Sequence, residues 1–444
     1  MGSISGLGRL IPNKVAASSF VLIAGILLVA ANLRAPITGI APILEHIIDT
    51  FTLSRTQAGM LTTLPLIAFA VASPMAASLA RKIGIESAVF IALIFIAAGI
   101  GLRLIDSVWM LYIATAVIGV GIAIGNVLLP SLIKRDFPAR VAMMTSCYVL
   151  AMGIFSGGFS ALVTPLANNK WLHWQGALGV FGVITLVSIV LWLPRLKTRT
   201  MPDAALANQT EQTDSDSVGV DAGDGASADK AMAECAAGDS AAADRVKPHT
   251  AKPSRVWHFS LAWQVTIFLG LNSFMTYVLI GWLPNILVEA GYSQVYAGVL
   301  HGWLQFASAV PGFVLIPILA RLKDQRIPAV VISLLGAISL LGLLFAPQFA
   351  FVWTVLVGFS SGGCFILGLS FISFRSQNAL QAASLSGMAQ AFGYCLAAVG
   401  PMLAGYLYSS LGNWSGSLWM CALASVCCAL VGLGCGRNRV LPHF

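Results

Sequence analysis

Charge is what this sequence lacks most. Lys, Arg, Asp and Glu make up 9% of its 444 residues, and hydrophobic residues 58%; a soluble domain carries about 25% charged residues. That scarcity excludes an ordinary water-soluble fold. Short segments of alternating apolar and polar residues are also missing, which excludes a transmembrane β-barrel. The eight cysteines form no CxxC pair and no metal-ligand spacing, so neither a disulfide framework nor a metal centre is indicated. The six histidines are scattered, with no Ser/His or His/Asp set beside them. The chain is therefore read as a non-enzyme that needs no cofactor. No P-loop is present, which argues against ATP drive. A pI of 9.2 would suit nucleic acid, but the basic residues are distributed as topology signals, so that partner is rejected.

What the sequence has instead is long apolar runs. A hydrocarbon core about 30 Å thick takes about 20 apolar residues per helix, and twelve such spans fit. They lie near 17–40, 57–80, 85–104, 108–130, 141–166 and 175–194, then near 261–284, 294–320, 328–346, 350–374, 383–408 and 415–436. The first has no small-residue cleavage site after it, so it reads as a helix and not a signal peptide. The fold class is an all-α polytopic membrane protein. Alternate loops carry Arg81 and Lys82, then Lys134, Arg135 and Arg140, then Arg321, Lys323 and Arg326, then Arg375. With the termini and the central gap, that side holds 21 of the 25 Lys and Arg. The other side holds Arg55, Arg103 and Lys170. The excess of positive charge marks the cytoplasmic side, so both termini are expected there, and the lipid bilayer is the chain's first partner.

The organisation is six spans, a gap and six spans. Ten of the 17 acidic residues fall between Asp203 and Asp244 in an Ala/Asp/Ser/Gly-rich stretch, the composition of a disordered tether. The expected parts are a cytoplasmic tail over 1–16, a six-helix half over 17–194, a cytoplasmic linker over 195–257, a second half over 258–436 and a tail over 437–444. The halves repeat weakly but in register. Ala58-Gly59-Met60-Leu61 answers to Ala297-Gly298-Val299-Leu300, Leu79-Ala80-Arg81 to Leu319-Ala320-Arg321, and Asn32 to Asn272, at offsets of 239 to 240 residues. Two parallel six-helix halves suggest a rocker around a midplane site.

Several motifs sharpen this. Arg81-Lys82-Ile83-Gly84 resembles a degenerate form of the major facilitator signature between the second and third spans, without its acid. Asn32-Leu33-Arg34-Ala35-Pro36, Leu61-Thr62-Thr63-Leu64-Pro65, the run from Gly125-Asn126 to Pro138, Gly281-Trp282-Leu283-Pro284 and Leu385-Ser386-Gly387-Met388-Ala389-Gln390 resemble one branch of that superfamily. It is the branch of the cyanate transporters and 2-nitroimidazole exporters, and the likeness covers nearly everything but the linker. It implies a 12-transmembrane-helix major facilitator fold with two pseudo-symmetric six-helix halves in a bacterial inner membrane, acting as a monomer. It also implies a small polar or anionic cargo, moved by alternating access. Efflux of 2-nitroimidazole-like compounds is the main expectation, with import of cyanate or a similar anion as the alternative.

The resemblance implies a cavity lined by spans 1, 4, 7 and 10. On them lie the candidate substrate contacts Asn32, Arg34, Thr38, Asn126, Asn272 and Tyr277. Arg34 is the only charge between Val15 and Leu44. An intramembrane arginine costs about 2.5–3.5 kcal/mol on insertion scales, and no carboxylate is expected within a span to pair with it. Either it caps backbone carbonyls, or it snorkels, or its planar donor fork faces the oxygens of a substrate. Pro36, Gly39 and Pro42 follow it and predict a kink in the first span. His301, one turn from Gln305, is the candidate proton carrier or else a packed histidine. Proton antiport, proton symport and facilitated diffusion all stay open. Gly157-Gly158 and Gly362-Gly363 are expected where helices cross. Trp109, Trp171, Trp174, Trp257, Trp263 and Trp414 are expected in an interfacial belt, and Trp282 and Trp303 on the substrate route.

Overall fold

The computed structural model describes residues 11–196, 255–322, 324–377 and 379–442. Twelve apolar helical spans cross it, and the regular structure of the described residues is helical throughout. The expected linker lies, apart from its ends, outside the described residues, as do the first ten residues and the last two.

The first span is not one helix. α1 (Ile11–Asn32) stops short of Arg34, and α2 (Ala35–Thr38), a 3-10 turn (Ala41–Ile43) and α3 (Leu44–Phe51) complete it. Pro36 has no N–H to donate back to Asn32, and Arg34 leaves helical geometry at φ −138°. The predicted kink is thus a break. α2 then leans on α7 (Val141–Ala167); a Cβ on Gly39 would sit 2.3 Å from the Phe159 ring, so only glycine admits that approach.

The other N-half helices are α4 (Arg55–Ile83), α5 (Ile85–Leu102), α6 (Val108–Asp136) and α8 (His173–Leu196). α4 begins with a reciprocal cap, in which Ser54 Oγ accepts from Gln57 N–H and Ser54 N–H donates to Gln57 Oε1. In the second half α9 (Ser260–Glu289) is followed by α10 (Gln294–Ala309) and α11 (Pro311–Arg321). Then come α12 (Arg326–Phe345), α13 (Ala350–Arg375), α14 (Ala379–Leu411) and α15 (Ser415–Cys435). α10 and α11 are one span broken at Pro311. Two spans run past their expected ends, α6 beyond Pro130 and α9 beyond Pro284. A membrane helix keeps going through proline because its neighbours re-satisfy the freed carbonyl.

With twelve crossings, both described ends of the chain lie at one face, called here the terminal face; the opposite one is the far face. The halves meet where α4 packs on α14 and α7 on α10. Gly157 and Gly302 touch backbone to backbone, each lacking room for a Cβ, and Gly59 meets Pro401 in the same way. Gly362 also allows a close crossing, but onto Ser308 within the second half. Hydrogen bonds join the halves at Thr63 to the Ala398 carbonyl (2.7 Å), Ser160 to His301 (3.1 Å), Gln294 to the Pro42 carbonyl (3.3 Å) and His46 (3.2 Å), and Asn285 to Glu45. All of these lie from the midplane to the far face. At the terminal face the charged groups bond within their own half. Arg135 pairs with Glu86 (2.7 Å) and Asp136 (2.7 Å), and Arg375 with Gln325 and the carbonyls of Cys435 and Gly436.

Three expectations need correction here. Glu86 is a carboxylate inside a span, buried in the first turn of α5; its partner is Arg135 and not Arg34. Arg103 is no surface topology marker but a fully buried guanidinium. Trp174, Trp414 and Trp282 belong neither to a belt nor to a route. All three are buried, Trp282 donating to the Pro401 carbonyl at 2.8 Å and packing at a tilt against Trp414. Trp109, Trp171 and Trp257 are exposed as belt residues should be. The described part of the C-terminal tail folds back, with Leu441 fully buried and its N–H on the Arg375 carbonyl at 2.8 Å.

Candidate functional site

The break in the first span sets the site. It ends α1 at Asn32, frees the carbonyls around Pro36 and puts Arg34 at midplane depth. Three arginines now stand inside the bundle, and their partners differ. Arg103 donates to the Pro36 carbonyl at 2.6 Å and to Thr115 at 3.3 Å. Arg375 caps the end of α15. These two do the carbonyl-capping work that the sequence alone could equally assign to Arg34. Arg34 is half-buried, and while its carbonyl accepts from Ile37 and Thr38, its guanidinium makes no hydrogen bond or ion pair with any described residue. Its charge acts on the Tyr277 phenol of α9 and on the His301 imidazole of α10, so it faces the second half across the interface.

The remaining candidates divide. Tyr277 is half-buried with an unbonded hydroxyl, and Asn126 is exposed and unbonded. Asn126 follows Gly125, where α6 packs so closely on Leu33 that a Cβ would lie 2.3 Å from it. A neutral polar side chain without a protein partner at membrane depth points to a water-filled space and not to lipid. Thr38 comes close to Arg34 but its hydroxyl is spent on Ser156 Oγ at 2.8 Å. Asn32 is turned away: its amide donates to the Leu28 carbonyl (2.7 Å) and Ser188 (2.8 Å), and its Oδ1 accepts from Thr185 (2.6 Å). It ties α1 to α8. Asn272 is buried with Oδ1 unpartnered.

His301 is fully buried. Its Nδ1 lies 3.1 Å from Ser160 Oγ of α7, and its Nε2 lies 3.2 Å from the Gln305 amide nitrogen; the Ile280 backbone is a further partner. Ser160 in turn reaches the Thr38 carbonyl. A hydrogen-bonded chain thus runs from Gln305 through His301 and Ser160 to the turn below Arg34. Sequence reasoning missed Ser156, Ser160 and the inward role of Arg103, and it did not single out Glu45. A signal existed for Glu45, whose partner Asn285 stands 240 residues on, the repeat offset.

Comparison with known proteins fits this architecture. Residues 22–398 match the Major Facilitator Superfamily. The chain is 45% identical over 419 residues to the 2-nitroimidazole transporter of Escherichia coli (strain K12), covering 94% of this chain and 96% of that one. It is 25% identical over 391 residues to the cyanate transport protein of the same organism, covering 88% and 90%. Among solved structures, a D-xylose–proton symporter superposes with a TM-score of 0.69 at 15% identity, covering 95% of this chain and 99% of that one, a likeness of fold. With its twelve spans and two repeated halves, and with the family matched over residues 22–398, the chain belongs to the Major Facilitator Superfamily and is a multi-pass membrane transporter of small molecules.

Proposed function

We propose that the protein exports 2-nitroimidazole-like compounds across a bacterial inner membrane by alternating access, with Arg34 as the point of recognition. The observation that carries this reading is the unpartnered guanidinium at the break of the first span. A cation inside a membrane span costs about 2.5–3.5 kcal/mol on insertion scales. A cation kept at that cost, facing the other half, is accounted for if cargo supplies the missing acceptor. A nitro group offers two coplanar oxygens that suit a guanidinium fork, and the similarity to a 2-nitroimidazole transporter points to the same cargo. Tyr277 and Asn126 complete the contact set. Thr38, Asn32 and Asn272 shape it from behind.

In this reading the terminal face is cytoplasmic, because it carries the excess of Lys and Arg, and the bonded far face is the closed outer gate. Cargo enters from the cytoplasm, and the outer contacts part while the terminal ends close. His301 is the candidate proton carrier, since it sits on the parting surface between α7 and α10. Residues 195–257 act as a tether, and the chain works as a monomer. The test is accumulation of labelled 2-nitroimidazole by energised inside-out vesicles, with and without the protein. Protein-dependent accumulation supports export. No accumulation by inserted protein would refute the cargo, and cyanate uptake into right-side-out vesicles would then mark an importer.

A further inference from the structure

We infer that the cargo is bound and moved as a planar monoanion, so that a nitroimidazole is carried as its ring-deprotonated azolate and not as the neutral molecule. This rests on the assignment of Arg34 as the contact point. Its own ground is the charge around the break in the first span. Arg34 has no acid beside it, and Arg103, on the Pro36 carbonyl two residues on, is paired only with neutral acceptors. The carboxylates within the spans are committed elsewhere. Glu86 pairs with Arg135, and Asp136 with Arg135 and Arg195. Glu45 pairs with Arg55 and Asn285, Glu289 accepts from the Trp414 N–H, and Asp49 is exposed beyond the gate. The groups that feel the Arg34 charge are Tyr277 on α9 and His301 on α10, and the polar groups on the neighbouring elements, Ser156 and Ser160 on α7 and Asn126 on α6, carry no negative charge. The site thus holds positive charge within the membrane span with no carboxylate of the protein to balance it. A neutral ligand would leave that imbalance standing, and one negative charge would relieve it.

The chemistry of the ligand permits this. A 2-nitro group withdraws electrons from the ring, so loss of the ring N–H proton leaves a charge spread over both ring nitrogens and both nitro oxygens. The proton stays in the water on the entry side. The nitro group lies between the two ring nitrogens, so the azolate presents an adjacent nitrogen and oxygen, coplanar acceptors for the Arg34 fork. The inference also supplies a drive. An anion leaving a cell whose interior is negative moves down the potential, worth roughly a fiftyfold gradient for each 100 mV or so, so that proton transfer through His301 adds to this drive and is not required for it.

The experiment uses the purified full chain, in detergent for binding and in proteoliposomes with an imposed potassium diffusion potential for transport. Its probes are 2-nitroimidazole and 1-methyl-2-nitroimidazole, which keeps the nitro group but has no proton to lose. Affinity for 2-nitroimidazole should rise about tenfold per pH unit below the ring's acid constant and level off above it. Above that acid constant the methylated compound should bind about ten- to hundredfold more weakly, the ratio should shrink about tenfold per pH unit below it, and an imposed potential should drive only 2-nitroimidazole. Because any titration of the protein, His301 included, affects both compounds, the ratio between them is the readout. Arg34→Lys should keep part of that ratio and Arg34→Gln should abolish it. Equal binding and movement of both compounds, with no response to potential, would overturn the inference while leaving the export reading intact. If neither binds nor moves, with the protein folded and inserted, the cargo assignment fails and this inference fails with it.

Discussion

Replacing Glu45 should loosen the far-face gate by an amount the structure lets one estimate. The Glu45 carboxylate accepts from Arg55, within its own half, and from Asn285, across the interface. Arg55, so held, lies 4.8 Å from the centre of the Tyr408 ring of α14, a second contact between the halves. A hydrogen bond to a charged group is worth about 1.5–3 kcal/mol when buried. Glu45 and Arg55 are 33% and 21% exposed, so solvent screening reduces the ion pair toward 1 kcal/mol or less. The cross-half contribution lost in Glu45→Ala is then about 1–2 kcal/mol, which moves the closed-to-open ratio about 5- to 30-fold. A reporter exists at Thr62, which is buried in the interface and leaves no room for a Cβ on Gly281. In a variant whose native cysteines are replaced, Thr62→Cys should react with a membrane-impermeant maleimide only while the far face is open. Adding Glu45→Ala should raise that rate by the stated factor. Glu45→Gln, which keeps an acceptor for Asn285, should raise it less. An unchanged rate in Glu45→Ala would refute the view that these bonds hold the gate.

Arg34→Gln should abolish transport with abundance near normal, whereas Arg103→Leu should lower abundance and thermal stability, because it leaves the buried Pro36 carbonyl unpaired at about 1–3 kcal/mol; the reverse pattern, read by vesicle uptake and immunoblot, would exchange the two roles. Gly157→Leu should block transport by preventing the approach to Gly302, where no Cβ fits. Wild-type transport by that variant would mean that the two helices need not close so far. Deleting residues 205–245 should leave transport largely intact, since closing a shorter flexible tether changes little free energy; loss of transport by a normally inserted deletion would assign that segment another task.

The number of spans, the repeat and the break in the first span were legible because each has a local cause. Apolar length, the 240-residue register and the missing N–H of Pro36 all sit in the one-dimensional string. Partners were not legible. Nothing near Arg103 announces that it turns inward to Pro36, 67 residues away, and its place at the end of a span made it look like a surface charge. Glu86 was overlooked for the same reason, since a carboxylate at a helix start reads as exposed until Arg135 of the next helix covers it. Pro130 and Pro284 misled the span ends, because a rule learned from soluble helices over-weights proline where neighbouring helices absorb the kink. Asn32 and Arg34, two residues apart, could not be told apart as cavity-facing or core-facing without knowing where α1 stops turning.

The repeat also shows how one pattern serves two ends. In the first half Asn32 accepts from Thr185 and donates to Ser188, and Ser188 reaches the Leu28 carbonyl. Shifted by 240 residues these are Asn272, Ser425, Cys428 and Phe268. There Cys428 still reaches the Phe268 carbonyl, but Ser425 has turned to the Ser333 carbonyl at 2.7 Å, and Asn272 Oδ1 has lost its donor. A satisfied hub and its unsatisfied copy should respond oppositely to the same change. Asn32→Leu removes the buried bonds of its amide to Thr185, Ser188 and the Leu28 carbonyl and, although both hydroxyls keep carbonyl acceptors, should cost about 1–3 kcal/mol, read as a lower unfolding temperature in detergent. Asn272→Leu strands nothing that is not already stranded, and by removing an unpaired carbonyl it should leave the unfolding temperature unchanged or raised. If it raises stability and lowers transport, the unpaired carbonyl is retained for the transport cycle at the expense of stability. An Asn272→Leu variant destabilised as much as Asn32→Leu would mean that Oδ1 has a partner in the working membrane, and the contrast between the halves would fall.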